Sequence, residues 1–302
     1  MICDIRSLTR DELAERLAGW GEPAYRVEQL LDWLYAQRAA DWESMTNLPK
    51  SLRDRLRGEY CLRLPSLVHL QGTEEATRKF LWRLADGALI ESVLLPATPA
   101  LFGDASDRRT LCLSTQVGCA YGCRFCASGL DGWKRNLGVE EIVGQVIATE
   151  RWLRKSAGDA ADVARPARYV DNLVIMGMGE PLANFASLLR ALQILNAPWG
   201  GGIGARKITV STSGLAPQIR ELADQPLPVG LAVSLHGATN EVRNRLMPVN
   251  RKYPLAELIS ACEYYRRKQG RRITLEYILI ADVNDDPRDA PLLARIARHL
   301  KA

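Results

Sequence analysis

The 302 residues, 47% hydrophobic and 25% charged, have the balance of a globular chain able to bury a full core, as one large domain or one large and one small. No apolar run approaches the roughly 20 residues needed to span a bilayer, and Met1-Ile2-Cys3-Asp4 lacks the basic and apolar regions of a signal peptide, so a cytoplasmic protein without a membrane partner is expected. A net charge of +5 is compatible with a polyanionic partner without requiring one, while seven cysteines, odd in number and mostly clustered, argue against a secreted disulfide framework and point to metal or redox chemistry.

Residues 7–62 read as short helices. A Thr9 cap opens the first, and Val27, Leu30, Leu31 and Leu34 keep helical spacing in the next. Lys50, Arg53, Arg55, Arg57 and Arg63 follow with few acids among them, beside Trp33, Trp42 and Tyr60; such a run is either a solvated helix face or a grip on a phosphate backbone. From Val68 the pattern alternates, giving strands over 79–84 and 89–95 joined by the turn Ala85-Asp86-Gly87, hence a hairpin. Residues 97–109 read as a connector.

Beyond the connector, strand-like runs at 111–117, 172–178, 207–213, 229–235 and 272–280 take turns with amphipathic helices such as 140–153 and 185–195. The loops at 158–167 and 196–205 are rich in Ala, Gly and Pro. Repeated βα units imply a parallel sheet or barrel. Each unusual polar cluster falls at the carboxyl end of one of these runs: Cys119 to Cys126, Gly177-Met178-Gly179-Glu180-Pro181, Ser211-Thr212-Ser213-Gly214, Ser234-Leu235-His236 and Asp282-Val283-Asn284-Asp285. In a parallel barrel those ends share the face on which active sites are built. Cys262 instead lies on the apolar stripe Leu255, Leu258, Ile259, Cys262 of a helix, where a thiol is a small core hydrophobe; Cys3 and Cys61 are read as bystanders.

Cys119, Cys123 and Cys126 form CxxxCxxC, the spacing that holds three corners of an iron-sulfur cube and leaves one iron open to a further ligand. The competing reading is a structural zinc site completed by Cys112 or His236, although no second CxxC knuckle is present. Ala127-Ser128-Gly129 after the last cysteine is small enough to admit a bulky ligand.

Together with Arg109-Thr110-Leu111-Cys112-Leu113-Ser114-Thr115-Gln116-Val117-Gly118 and Lys134-Arg135-Asn136-Leu137, these clusters resemble the radical S-adenosylmethionine enzymes, and specifically the bacterial dual-specificity methyltransferases acting on carbon 2 of adenine in 23S rRNA and tRNA. The resemblance runs over the whole chain. It implies an α/β fold with a partial parallel (βα) barrel at 109–302, preceded by a small helical RNA-binding domain at 1–66 and a β-hairpin and linker at 67–108. It implies a 4Fe-4S cluster on Cys119, Cys123 and Cys126 and S-adenosylmethionine held by Gly179, Glu180, Ser211, Ser234, Leu235 and His236. Glu91 matches the family's proton acceptor.

Carbon 2 of adenine is electrophilic and carries a hydrogen that no ordinary base removes, so a radical route is needed. The family passes the methyl group through a cysteine near its C-terminus, and Cys112 matches the thiol that opens the resulting RNA-enzyme crosslink through a transient disulfide. No cysteine follows Cys262 in these 302 residues, and the last strand of the family pattern is missing, so a truncated chain with doubtful complete turnover is expected. The implied partners are 23S rRNA, tRNA and a reducing donor such as flavodoxin, with a monomer as the expected state. Methylation at carbon 8 of the same adenine, as in the antibiotic-resistance relatives, another radical S-adenosylmethionine enzyme and a catalytically incomplete RNA-binding relative remain the alternatives.

Overall fold

Placement is described, from a computed structural model, for residues 2–73, 76–96, 108–156 and 168–302. The connector expected at 97–109 lies outside the described residues except for Arg108 and Arg109, and the loop expected at 158–167 lies wholly outside them. Elements are numbered along the chain. They divide into two units that interleave in sequence: Met1–Leu113, Leu137–Leu173 and Ala186–Gly204 form the first, and Ser114–Asn136, Val174–Phe185 and Ala205–Ala302 the second.

The first unit begins with strand β1 (Cys3–Asp4) and helices α1 (Arg10–Gly19), α2 (Tyr25–Leu31) and α3 (Lys50–Glu59), the last running into β2 (Tyr60–Cys61), which pairs parallel to β1. Thr9 caps α1 through a reciprocal box with Glu12, satisfying two backbone donors that a helix start leaves bare. Val27, Leu30, Leu31 and Leu34 are all buried, although α2 passes into a π-helical turn at Asp32–Ala36 before Leu34 is reached. The expected hairpin is present as β4 (Arg78–Arg83) and β5 (Leu89–Pro96), with Leu81 opposite Glu91 and Gly87 supplying the turn's positive φ of 86°. It is the middle of a four-stranded antiparallel meander completed by β3 (Ser66–Gln71) and β6 (Arg109–Cys112). β3 escaped the pattern reading because almost every residue in it is exposed, so it shows no apolar alternation. Helix α4 (Val139–Ser156) packs on the meander through Trp152, whose ring meets Phe80 edge-on at 5.2 Å. The unit also holds most of α5 (Phe185–Asn196).

In the second unit the ribbon β7 (Gln116–Gly118) and β8 (Trp133–Asn136) brackets the cysteine loop. Strands β10 (Ile208–Thr212), β11 (Gly230–Ser234) and β12 (Ile273–Glu276) pair parallel in that order, with α6 (Ala216–Ala223), α7 (Asn240–Leu246) and α8 (Leu255–Gln269) in the connections and α9 (Ala290–Leu300) after them. The remaining strand, β9 (Asn172–Ile175), straddles the boundary between the units. The run expected as one strand at 111–117 is two. Between β6 and β7 the Ser114 hydroxyl accepts the Met178 N–H at 2.9 Å and the Thr115 N–H turns to the Met178 carbonyl at 2.9 Å, so that backbone serves a loop. The last run, 272–280, stops pairing at Glu276 for a similar reason: the N–H groups of Ile278 and Ile280 go to His236 Nδ1 and Asn284 Oδ1. Cys262 is a core thiol on α8, 1% exposed, and burial pushes it up to about 12. Among the described residues no helix is long and apolar enough to cross a membrane.

Candidate functional site

A cleft of about 230 Å³ opens at the carboxyl ends of β10, β11 and β12, and every residue in its wall belongs to the second unit. The three cysteines line one side with Tyr121 and Phe125; Gly177, Gly179 and Glu180 line another; Ser211, Ser213, Ser234, His236 and Glu276 complete it. The placement expected from the sequence, polar clusters at strand ends on one face, is met by four of the five clusters, the fifth reaching the site through Asn284.

Gln116 joins the cysteine loop to the glycine loop. Its Oε1 accepts the Glu180 N–H at 3.0 Å and the Ala120 N–H at 3.4 Å, and its Nε2 donates to Asn136 Oδ1 at 2.8 Å. That contact demands a glycine at 179, where φ is 99° and a Cβ would stand 2.5 Å from the Gln116 Cβ. Gly118 is required in the same way, since a Cβ there would meet the Gly132 carbonyl oxygen at 1.9 Å.

Glu180 is buried at 3% exposure, yet its carboxylate does not reach for the cleft alone. Oε2 accepts from both the N–H and the hydroxyl of Ser213 at 2.7 Å, and Oε1 accepts the Leu182 N–H at 3.1 Å. Burial raises this carboxyl above its ordinary range while the donors pull it back, so the side chain anchors the loop to the end of β10. Burial also raises Cys119 and pushes Cys123 up to about 12, with the neighbouring Cys119 and Cys126 thiols adding to the shift of Cys123. Cys119, Cys123 and Cys126 thus share one wall of the cleft, close enough for the other two to oppose the ionisation of Cys123, and such a donor set is one that a cationic iron-sulfur centre would satisfy, so the residues present fit that group. Among the described residues no three His, Cys, Asp or Glu side chains are gathered closely enough to hold a single metal ion.

His236 takes a left-handed φ of 52°, and its ring meets Phe125 edge-on with centroids 4.8 Å apart. Nδ1 accepts the Ile278 N–H at 3.0 Å, which leaves Nε2 as the protonated nitrogen. Asn284 donates to the His236 and Ile278 carbonyls at 2.8 and 2.7 Å and is 2% exposed. Leu235 lies between two cleft residues but is itself 1% exposed and absent from the wall; its N–H donates to the Glu276 carbonyl at 2.9 Å. Behind the wall, the fully buried Arg243 donates to the carbonyls of Ser213 at 3.0 Å, Ser234 at 3.1 Å and Leu235, and to Asn250 Oδ1 at 2.8 Å. It ties the ends of β10 and β11 together. Its loss of protons is eased by burial to about 10.

Two further candidates belong to the first unit. Cys112 ends β6, opposite Val93 and buried. Glu91 on β5 forms an ion pair with Lys79 at 3.0 Å and is 38% exposed. The residues that sequence reasoning missed are Glu276, Ser213 and Arg243. Only Ser213 carried a signal, as a member of the quoted Ser211-Thr212-Ser213-Gly214 cluster.

A family model described as the radical SAM superfamily matches residues 113–290, and one described as the ribosomal RNA large subunit methyltransferase N-terminal domain matches residues 3–62. The chain is 46% identical over 298 residues to the probable dual-specificity RNA methyltransferase RlmN of Akkermansia muciniphila, covering 99% of this chain and 79% of that protein. It is 51% identical to the probable dual-specificity RNA methyltransferase RlmN 3 of Opitutus terrae, covering 97% of this chain and 78% of the relative. The crystal structure of a radical SAM methyltransferase from Sphaerobacter thermophilus superposes with a TM-score of 0.87 at 45% identity, covering 98% of this chain and 82% of that one.

Proposed function

Because the chain belongs to the radical SAM superfamily and, within it, to the dual-specificity RNA methyltransferases, we propose that it transfers a methyl group to carbon 2 of adenine in 23S rRNA and in tRNA. The observation that carries this reading is the convergence of three cysteines, a glycine loop and three strand-end polar residues on one cleft. Cys119, Cys123 and Cys126 would hold the 4Fe-4S cluster that this family uses with S-adenosylmethionine. When bound, that pair supplies a 5'-deoxyadenosyl radical, the chemistry a carbon with no acidic hydrogen requires.

The protein's own groups do the rest. Gly179 brings backbone close to the ligand, and Glu180 with Ser213 fixes that loop. Ser211 and Ser234 offer hydroxyl oxygens as acceptors and His236 one ring N–H as a donor to the nucleoside part, while Leu235 serves through its backbone. In the first unit, Cys112 is the proposed thiol that opens an RNA-protein crosslink and Glu91 the proposed proton acceptor. Residues 1–66 are proposed as the RNA-binding accessory module, a reading supported by the family match at 3–62. The cytoplasm, a monomeric state and a reducing donor of the flavodoxin kind complete the proposal.

Two measurements test it. Anaerobic reconstitution should give one oxygen-sensitive 4Fe-4S cluster by visible absorption and iron analysis, lost in Cys119→Ala, Cys123→Ala and Cys126→Ala alike. Deleting the gene should remove 2-methyladenosine from both RNAs of the host, read by nucleoside mass spectrometry. Zinc in place of iron, or loss of 8-methyladenosine instead, would overturn the reading.

A further inference from the structure

Three neighbouring parallel strands each deliver one side chain to the same point of the cleft. Ser211 lies on β10, Ser234 ends β11, and Glu276 ends β12 directly opposite Ser234 in the register. The Ser211 hydroxyl donates to Glu276 Oε2 at 3.0 Å and the Ser234 hydroxyl donates to the same oxygen at 2.9 Å. A hydroxyl has one proton and a carboxylate only accepts, so both serine protons are committed and each serine oxygen is left with lone pairs alone. No described residue donates to Glu276 Oε1. This part of the wall is therefore made of acceptors, and it suits a ligand group that brings donors. A vicinal diol does so with two hydroxyls at neighbouring carbons.

We propose that Glu276 is a positioning and specificity-determining residue, holding Ser211 and Ser234 as acceptors and receiving a ribose hydroxyl of S-adenosylmethionine on Oε1. The inference rests on the reading of this cleft as the S-adenosylmethionine site. A site built to take up hydroxyl donors discriminates against an analogue that lacks them, because its buried acceptors are then left unpaired. Glu276→Gln keeps the shape but replaces one carboxylate oxygen by an amide donor: with the nitrogen toward the serines both must reverse their hydroxyls and accept from it, and with the nitrogen on the other side the acceptor offered to the ribose is lost.

The experiment measures equilibrium binding of S-adenosylmethionine and of its 2',3'-dideoxyribose analogue to the reconstituted full chain. The unaltered protein should prefer the natural cofactor by at least about tenfold, the factor one well-made hydrogen bond supplies. In Glu276→Gln, with cluster content unchanged, the preference should fall to about twofold or less. If that variant loses its cluster, the double variant Ser211→Ala with Ser234→Ala answers the same question by removing the hydroxyls that Glu276 holds. Retention of the full preference in the variant would overturn the proposal. Failure of the unaltered protein to bind S-adenosylmethionine at all would instead overturn the function proposed for the cleft, and this inference with it.

Discussion

A buried imidazole in left-handed backbone geometry is unfavourable on two counts, and His236 is held in both. Backbone strain of this kind costs on the order of 1–3 kcal/mol and persists only where the surroundings impose it. Here Asn284 and the Ile278 N–H impose it from a loop that leaves β12 for this purpose. Burial pushes His236 down from its ordinary 6.5 to about 4, with Glu276 opposing and Arg243 assisting. The unfolded chain therefore takes up this proton near pH 6.5 and the folded one only near 4. The contribution of the neutral ring to stability is whole above pH 6.5 and is lost as pH falls from there to about 4. An imidazole titration by NMR between pH 8 and 5 should show His236 unprotonated throughout; a midpoint near 6.5 would contradict it. The sequence made His236 a candidate because of its place after a strand. It gave no sign of the tautomer, which depends on a partner 42 residues away.

At the scale of elements, the basic run that invites an RNA reading is largely occupied within its own unit. Arg57 pairs with Asp54 at 3.2 Å and with Glu43; Arg55 lies over the Trp20 ring at 4.4 Å and near Glu59 at 3.8 Å; Arg53 donates to the Glu43 carbonyl at 2.9 Å. Glu43 comes from outside helix α3, which is why counting acids within the run did not reveal it. A phosphate contact contributes about one to the salt slope of RNA binding. Neutralising Arg53, Arg55 and Arg57 together should accordingly lower that slope by less than about one, measured by binding assays over a salt series; a fall of about three would show that they grip phosphates. What the sequence made legible were signals local in the chain: the Thr9 cap, the turn at Gly87 and the spacing of the cysteines. What it hid were long-range pairs, such as Gln116 with Glu180 and the two serines with Glu276, since no local pattern encodes a partner 42 to 65 residues distant.

The interleaving of the two units bears on how the molecule as a whole responds to its cofactor. Sequence segments follow chain order, whereas the second unit collects three separate stretches, and all the cleft walls come from those stretches. A ligand stabilises only the states that retain its site, by RT ln(1 + [L]/Kd), which is about 2.7 kcal/mol at a hundredfold excess over Kd. Amides whose exchange requires opening of the second unit should therefore slow by up to about a hundredfold when S-adenosylmethionine binds the reconstituted protein at that excess. The effect should appear along β10, β11 and β12 and in the cysteine loop, and leave β3, β4 and β5 of the first unit unchanged. Hydrogen-exchange mass spectrometry with and without the cofactor reads both sets in one experiment. Equal slowing in the two sets would mean that they open as one cooperative body, and slowing confined to the first unit would place the cofactor outside the cleft.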